Sequence, residues 1–510
     1  MADDIAAVHA ADSDEQRLHE LGYAQELRRR MSGFSNFAVS FTIISILSGC
    51  LTLYGYGMNT GGPAIIVWGW PIVGIMTLMV GLAMAEVCSS FPTAGGLYYW
   101  AAKLGGNNGP AWSWFTGWFN LLGQVGVTAG IDFGLALFAD ALLNALFNYP
   151  TTPGWIVLIY AVVLFLHGLL NTFGVGVVAL LNDISVWWHL IGVAVIFIVL
   201  FFVPAHHQSV SFIFTNFVNN TGFGNSYYVF LIGLLLAQYT FTGYDASAHM
   251  TEETRNAAVA GPRGIVWSII ISLIAGWILL IGVTGAIQNY DVERTAVTPA
   301  AQIFIDAAGH NLGLFLLFIV VGAQFYCGMS SVTANSRMIY AFSRDGAVPG
   351  SQFWHKINPR TRTPTNSIWF ATVGAFILGL PYLWSPAAYA AVTSIAVIGL
   401  YIAYGMPILL RLLAGEKFQR GPWHLGRWSY IVGWIAVIWI VFIAILFVLP
   451  QAAPGNTLIT FNYAILAVAV VLIYSGGYWF LSAKNWFKGP KVQGTPEELA
   501  KIEAELAAAG

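Results

Sequence analysis

Charged residues are scarce in this chain. Asp, Glu, Lys and Arg make up only 9% of its 510 residues, whereas soluble domains carry about 25%. Apolar and aromatic residues make up 57%, and the mean hydropathy is +0.70. This composition excludes a soluble protein and predicts an integral membrane protein. The net charge of −2 gives no indication of a nucleic-acid partner, and we expect none.

Cysteine is also rare, and the sequence has no phosphate-binding loop. Cys50, Cys88 and Cys327 each fall inside an apolar run, so neither a disulfide framework nor a zinc site is expected. No GxxxxGK loop, which would cradle nucleotide phosphates, occurs in the sequence. We therefore expect no cofactor and no enzymatic activity.

Long apolar runs recur along the whole chain, each near the ~20 residues that a helix needs to cross hydrocarbon. A membrane β-barrel would instead show ~10-residue segments of alternating polarity. The pattern predicts an all-α membrane protein with twelve transmembrane helices, which we number spans one to twelve. They cover Phe34–Tyr56, Ile65–Phe91, Trp112–Leu143, Gly154–Leu170, Ile184–Val203, Tyr227–Met250, Val266–Ile287, Leu312–Tyr340, Ile368–Leu383, Ala388–Leu412, Trp428–Leu449 and Tyr463–Leu481.

Basic residues fall almost entirely on one side of this predicted membrane topology. Of the 21 Lys and Arg residues, only Arg294 lies in a loop on the outer face when the N-terminus is placed inside. Because cytoplasmic loops accumulate Lys and Arg, we expect both termini to be cytoplasmic and the protein to lie in the plasma membrane. In the C-terminal tail, Thr495-Pro496-Glu497-Glu498 predicts the start of a short polar surface helix.

Two spans carry polar, glycine-containing interruptions at matching depths. Span one contains Ser45-Ile46-Leu47-Ser48-Gly49-Cys50, and span six contains Thr240-Phe241-Thr242-Gly243-Tyr244-Asp245. Backbone can leave the helix at membrane depth only where protein or a watery cavity satisfies its polar groups. Interruptions at corresponding places in two halves are typical of transporters built from inverted repeats. The alternative is that these small residues allow close packing of continuous helices.

Four motifs in order resemble a known family. "TGGPAIIVWGW" (Thr60–Trp70), "MAEVCSSFPTAGGLYYWAAKLGG" (Met84–Gly106), "TGYDASAHMTEET" (Thr242–Thr254) and "ANSRMIYAFSRDGAVPG" (Ala334–Gly350) are similar to the amino acid–polyamine–organocation permeases. Within that superfamily the chain resembles the amino acid/choline branch, which includes GABA and amino-acid permeases. The resemblance covers roughly Gly33 to Leu481.

The resemblance implies a LeuT-like fold that works by alternating access. It would comprise a 5+5 inverted repeat of ten core helices over 33–412, with repeats of approximately 33–204 and 226–412. Two additional helices over 413–482 would follow, between a cytoplasmic N-terminal tail (1–32) and a C-terminal tail (483–510).

The resemblance also implies a substrate site at the two interruptions. A substrate carboxylate would rest on backbone amides of Ser48, Gly49 and Cys50. An ammonium group would be held by carbonyls of Ser45, Tyr239 and Thr242. Gly243 would allow the second interruption, because glycine tolerates dihedral angles that other residues avoid, and the ring of Tyr239 would close over the substrate or simply pack.

Proton and sodium coupling both remain open from the sequence. His189 occupies the place in span five where the resemblance implies a lysine in proton-coupled relatives. It could carry the proton or be a neutral, hydrogen-bonded histidine. Hydroxyls of span eight could help to bind sodium; the candidates are Ser330, Ser331 and Thr333.

The acidic residues of the spans are further candidates for gating or coupling. Asp245 has three possible roles: pairing with a cation, gating, or capping the second half of span six. Glu86 is expected to pair with Lys103 or Arg337 near the inner gate. Asp132 could face the cavity or an interface.

The most consistent function is secondary active import of an amino acid or related small amine such as GABA. The alternatives are a choline or polyamine permease, an amino-acid exchanger, and a transport-inactive nutrient sensor. A channel would need a continuous polar pore, and only isolated polar positions are present in the spans.

Overall fold

The computed structural model describes residues 14–173, 175–385, 387–451, 453 and 461–509. Eleven helices of this part of the chain are long and apolar enough to cross a membrane. The remaining predicted span is the shorter apolar helix Ser226–Thr240, which is the outer part of span six. The expected all-α architecture with twelve spans is confirmed, and spans one and six are the two that are not continuous.

The bounds of most spans agree with the predicted segments to within four residues, but span five and span seven each begin nine residues earlier than predicted. In order, the helices are Gly33–Ile44 with Gly49–Thr52 and Tyr54–Asn59, Gly62–Ser90, Gly109–Phe147, Pro153–Phe173, Val175–Phe202, Ser226–Gly233 with Leu235–Thr240 and Ala246–His249, Ala257–Gly285, His310–Arg344, Thr365–Gly379, Ala387–Ala414, Ser429–Leu446 and Ala464–Tyr478. Short helices outside the spans include Gly96–Leu104, Tyr290–Glu293, Pro299–Ala308, Ser351–Trp354 and Pro496–Ala509.

The bundle exposes its large apolar side chains and buries many of its polar ones. On span five, Trp187, Ile191 and Ile198 are more than half exposed, as expected for a helix that faces lipid. In contrast, Asn120 and Gln124 of span three are buried. Burying a polar group is unfavourable unless it is hydrogen-bonded, so the polar interior identifies where specific contacts, and therefore a site, must be sought.

The two tails pack on each other at the basic end of the bundle, where nearly all Lys and Arg residues lie. His19 Nε2 lies 2.8 Å from Glu503 Oε1, so the helix Pro496–Ala509 is held against the N-terminal segment. The predicted capping box is confirmed: Thr495 N–H donates to Glu498 Oε2 (2.8 Å) and Glu498 N–H donates to Thr495 Oγ1 (3.4 Å). The tail helix thus has a partner within the chain.

Candidate substrate site

Span one is broken between Ile44 and Gly49. The first helix ends at Ile44, and Ser45 takes a left-handed conformation with φ 38°, which is uncommon for a residue other than glycine. The helix resumes at Gly49. A Cβ at Gly49 would lie 2.6 Å from Thr240 Oγ1 and 2.9 Å from Thr240 Cα. Glycine is therefore required here because the two interruptions touch.

Span six is broken between Thr240 and Ala246. Gly243 has φ +81°, and a Cβ there would lie 2.2 Å from Ile43 Cγ2 in span one. Both the backbone conformation and the close approach require glycine. The matched interruptions predicted from the sequence are therefore confirmed as real breaks, and the alternative of two continuous, closely packed helices is excluded.

Several backbone groups at the breaks have no hydrogen-bond partner among the described residues. In span one these are the N–H groups of Ile46, Leu47 and Cys50. In span six the carbonyl oxygen of Thr242 and the N–H groups of Tyr244 and Asp245 are likewise unpartnered among the described residues. Buried backbone groups are almost always paired. Unpaired donors together with an unpaired acceptor at the two breaks therefore suit a small ligand that has both a carboxylate and an ammonium group.

Some groups expected to contact substrate already have partners in this conformation. The N–H groups of Ser48 and Gly49 both reach the Ser45 carbonyl, at 2.8 and 3.3 Å. The Tyr239 carbonyl accepts from the Thr242 hydroxyl at 2.7 Å. The N–H groups of span one that remain unpaired are therefore those of Ile46, Leu47 and Cys50. The substrate roles of the named residues remain predictions.

Tyr239 is buried in the wall beside the breaks. Its hydroxyl lies against the backbone of span three at Gly130, and the ring of Tyr389 from span ten is nearby. The ring therefore lies where spans three, six and ten meet. The position is consistent with the expected aromatic closure.

His189 contacts the first break directly. Its Nε2 lies 2.8 Å from Ser45 Oγ, and its Nδ1 lies 2.8 Å from the Ser185 carbonyl. A carbonyl only accepts, so Nδ1 must carry a proton. The Ser45 hydroxyl can then donate to Nε2. His189 is thus fully satisfied as a neutral imidazole.

Asp245 is the centre of a buried polar network. One carboxylate oxygen accepts from Tyr404 of span ten (2.7 Å), and the other accepts from Gln124 of span three (2.8 Å) and lies 3.2 Å from His249 Nε2. Its side chain makes no capping bond to the following helix Ala246–His249. The capping role is therefore excluded, and the partner of Asp245 is a histidine one helical turn later.

The three candidate sodium ligands of span eight diverge. Ser330 Oγ binds an asparagine side chain of span five. The Ser331 hydroxyl lies 2.9 Å from that of Thr128 in span three, and the Thr333 hydroxyl donates to Asn171 in span four at 2.6 Å. These hydroxyls do not converge on span one in this structure. Span eight instead offers donors to span one: Gln324 Nε2 to the Leu47 carbonyl (3.3 Å) and Cys327 Sγ to the Ile43 carbonyl (3.3 Å).

The prediction that Glu86 pairs with Lys103 or Arg337 is wrong. Glu86 Oε2 accepts from Arg411 Nε of span ten at 2.9 Å and also from the Ser429 hydroxyl. Lys103 instead lies 5.2 Å from the ring centre of Tyr99. The error has a physical cause, because residues close along the chain or at the same depth need not face each other once the helices pack.

Two arginines of span eight form ion pairs at the basic end of the bundle. Arg337 Nε lies 2.8 Å from Glu253 Oε1, and Arg344 Nη2 lies 3.2 Å from Glu252 Oε1. Both carboxylates follow the second half of span six. These pairs therefore join span six to span eight at the basic end of the bundle.

Asp345 binds residues of both tails at the basic end of the bundle. Its carboxylate accepts from the hydroxyls of Tyr98 (2.6 Å) and Tyr23 (3.0 Å) and from the N–H of Lys491 (3.0 Å). Burial raises the pKa of Asp345 above its ordinary value, although Arg344 and the hydrogen bonds act in the opposite direction. The N-terminal and C-terminal segments are thus tied to the end of span eight.

A second buried acid lies against a histidine, within electrostatic range of Tyr239 and Cys327. Asp132 Oδ1 of span three lies 2.8 Å from His167 Nδ1 of span four, and both side chains are fully buried. The sequence left the orientation of Asp132 open. The structure places it between neighbouring helices, where Gly328 of span eight packs against it.

A cavity of about 390 Å³ opens at the basic end of the bundle. Its lining includes Met31, Asn182, Glu253, Thr333 and Arg337. These residues come from the N-terminal segment and from spans five, six and eight. The cavity therefore leads toward the interface at which span six meets span eight.

Sequence reasoning missed three members of the Asp245 network. His249 lies four residues after Asp245, a spacing that places the two side chains on one face of a helix and could have identified the pair. Gln124 and Tyr404 are 121 and 159 residues away in sequence. No local pattern relates either of them to Asp245.

Comparison of the whole chain with known proteins finds a matching family and several similar proteins. The family model described as "Amino acid permease" matches residues 31–472. The amino-acid permease BAT1 of Arabidopsis thaliana is 45% identical, over 96% of this chain and 98% of its own length. The amino-acid permease BAT1 homolog of Oryza sativa is 44% identical, with the same shares covered. The GABA-specific permease of Saccharomyces cerevisiae is 33% identical, over 96% of this chain and 88% of its own length.

Proposed function

This chain belongs to the amino acid permease family, and on that premise we propose that it imports an amino acid or a related small amine such as GABA by secondary active transport. It is a multi-pass membrane protein and a transporter rather than an enzyme. We assign it to the plasma membrane with both termini cytoplasmic, which makes the basic end of the bundle the cytoplasmic one.

The observation that carries this proposal is the pair of facing breaks. Unpaired N–H groups of Ile46, Leu47 and Cys50 lie in one break, and the unpaired Thr242 carbonyl lies in the other beside further unpaired N–H groups. Donors of this kind select a carboxylate, and carbonyls accept from an ammonium group. A zwitterion can therefore be held without a charged side chain. Relatives named as amino-acid and GABA permeases support the same substrate class.

The unpaired donors favour an amino acid over choline or a polyamine. Neither of those cations has a carboxylate, so binding either one would leave the span-one N–H groups without a partner. An unpaired buried donor costs about 1–3 kcal/mol. With more than one such donor, discrimination by a factor of 10 or more is expected.

Alternating access would use the contacts that now hold the site closed. Gly49 and Thr240 are packed together, so substrate can enter only when spans one and six separate. The cavity beside Arg337 and Glu253 is a suitable cytoplasmic exit. Opening would require the ion pairs between spans six and eight to rearrange.

The test is uptake by the purified full-length protein in proteoliposomes. Labelled amino acids, GABA, choline and a polyamine are offered in turn, with Gly49→Val as the blocked variant and Gly476→Ala as the matched control. A Cβ at Gly476 meets nothing within 4 Å. We expect saturable uptake of a carboxylate-bearing amine, lost in Gly49→Val and retained in Gly476→Ala.

Other results would overturn parts of the proposal. Uptake of choline alone would refute the carboxylate site. Binding without uptake would support a transport-inactive sensor. Strict dependence on an internal amino acid would indicate an exchanger.

A further inference from the structure

We propose that the ion coupled to transport is a proton, and that Asp245 and His249 hold it together in the inner half of span six. This inference rests on the proposed transport function and names its driving ion. It moves the coupling site from His189, the candidate in span five, to a pair on span six itself.

Hydrogen-bond counting shows why this pair is suited to bind a proton. His249 Nδ1 lies 2.9 Å from the Ala94 carbonyl. A carbonyl has no proton to donate, so Nδ1 must carry one. In the neutral imidazole Nε2 would then present a lone pair to Asp245 Oδ2 at 3.2 Å. An ionised carboxylate also presents a lone pair, so this contact is favourable only when an additional proton lies between the two atoms.

His189, which lies beside the first break, does not need an additional proton. His189 donates from Nδ1 to the Ser185 carbonyl and accepts at Nε2 from Ser45. His167 Nδ1 lies 2.8 Å from Asp132 Oδ1, but neither ring nitrogen makes a hydrogen bond among the described residues. No carbonyl therefore fixes the proton of His167 on one nitrogen, as the Ala94 carbonyl does for His249. Only His249 has a carbonyl at one nitrogen and a carboxylate at the other.

The surroundings supply no other positive charge to Asp245. Spans three and ten face it with neutral groups, namely Gln124 and the hydroxyls of Tyr401 and Tyr404, and Tyr244 of its own span is close by. No lysine or arginine of the described chain contacts either member of the pair. A buried carboxylate without a counter-charge is strongly disfavoured, so a proton on the pair is the available means of neutralising it.

Asn120 provides a neighbour that can adapt to either state. Its side-chain amide lies 3.4 Å from His249 Nε2. An amide can present either its oxygen or its nitrogen. It can accept from Nε2–H when the proton resides on the histidine, and donate to Nε2 when the proton has left.

The pair lies where a change of charge would move the breaks. Asp245 connects span six to span three through Gln124 and to span ten through Tyr404. The Tyr404 hydroxyl also accepts from Gly243 N–H at 3.4 Å, inside the second break. At the other end, Ala94 precedes the inner helix Gly96–Leu104, and its N–H donates to Glu252 at 3.0 Å.

The transport step follows from this geometry. A proton from the outer solution binds the pair, giving either protonated Asp245 with neutral His249 or ionised Asp245 with protonated His249. Release to the inner solution leaves an ionised carboxylate and a neutral imidazole. Two lone pairs then face each other at the Asp245–His249 contact, which favours separation of span six from the inner loop at Ala94. One proton enters and one leaves in each cycle.

The experiment measures proton coupling separately from transport. Full-length protein is reconstituted with a pH dye trapped inside, the membrane potential is held at zero with potassium and valinomycin, and labelled amino acid uptake is followed with and without an inward proton gradient. For one proton per substrate, a gradient of one pH unit can sustain at most about tenfold accumulation. Exchange of labelled for unlabelled substrate without a gradient serves as the readout of transport alone.

The variants separate the pair from the other buried histidines. Asp245→Asn mimics the protonated acid, because its amide can donate to His249 Nε2. His249→Asn keeps a donor near Ala94 and removes Nε2. Both should retain exchange while losing gradient-driven accumulation and internal acidification. The matched controls His189→Asn and His167→Asn should keep their response to the gradient, whatever their rates.

The outcomes are distinguishable. If the wild type transports no amino acid, the proposed function fails. If the wild type transports but ignores the proton gradient, or if Asp245→Asn and His249→Asn still accumulate substrate in response to it, the inference fails and the function stands. If both variants fold poorly, the pH change that follows substrate addition to the wild type is the deciding measurement. A proton-coupled carrier releases or takes up protons when substrate is added, and an uncoupled carrier does neither.

Discussion

Substituting Gly243 with alanine tests whether the second break must keep its observed backbone. The residue has φ +81°, and an added Cβ would approach Ile43 Cγ2 to 2.2 Å. A left-handed conformation costs a residue other than glycine about 1–2 kcal/mol, and overpacking costs a further ~1–3 kcal/mol. The total of about 2–5 kcal/mol corresponds to a factor of roughly 30 or more in an equilibrium constant.

The strain falls on the conformation in which the two breaks face each other. We therefore expect Gly243→Ala to weaken substrate binding by at least about 30-fold, measured by equilibrium binding to purified protein. Gly476→Ala is the control, because a Cβ at Gly476 meets nothing within 4 Å. It lies in a helix, where alanine is preferred over glycine by about 1 kcal/mol, so it should bind substrate like the wild type.

A double-mutant cycle separates the two causes. Ile43→Ala removes the atom that the new Cβ would strike and leaves the dihedral strain of Gly243→Ala in place. The double variant should therefore recover about 1–3 kcal/mol of binding relative to the sum of the single effects. Unchanged affinity in Gly243→Ala, or strict additivity in the cycle, would refute the reasoning that the break requires this contact.

Three further substitutions address other buried contacts, each followed by the thermal stability of purified protein in detergent. Glu86→Gln leaves the Arg411 guanidinium without its counter-charge, so we expect the free energy of unfolding to fall by about 3–5 kcal/mol. Adding Arg411→Met to Glu86→Gln should recover part of this loss. Ser45→Ala removes the hydroxyl bound by His189 Nε2 and should cost about 1–3 kcal/mol; an unchanged melting temperature would contradict that contact. Burial raises the pKa of Glu293 from 4.5 to about 7. Between these values the folded state holds more protons than the unfolded state, so stability should fall as pH rises through this window, and Glu293→Gln should abolish this component.

The sequence predicted the membrane architecture well because the relevant signals are local. Each span is a continuous apolar run, and hydrocarbon thickness fixes its length. The breaks were also detectable, since Ser48-Gly49 and Thr242-Gly243 place small polar residues where a lipid-facing helix would carry apolar ones. Both segments prove to be broken helices.

The partners of the buried polar residues were predicted poorly. The Glu86–Arg411 pair spans 325 positions, and the sequence offered Lys103 and Arg337 as equally plausible cations. Asp245 was assigned three possible roles, and its actual contacts come from spans three and ten as well as from its own helix. His189 was correctly placed beside the first break, whereas its role in coupling remains a prediction.

The sequence by itself predicted that this chain crosses the membrane twelve times and that its basic residues lie at one end, and it identified spans one and six as the candidates for interruption. These properties depend on hydropathy, charge and glycine within a single segment. Only the tertiary structure decided which histidine has a carboxylate at one ring nitrogen and a backbone carbonyl at the other. It also decided which backbone groups at the breaks remain unpaired. The physical reason is that such pairings depend on the rotation and depth of each helix against several others, and no periodicity within one helix specifies them.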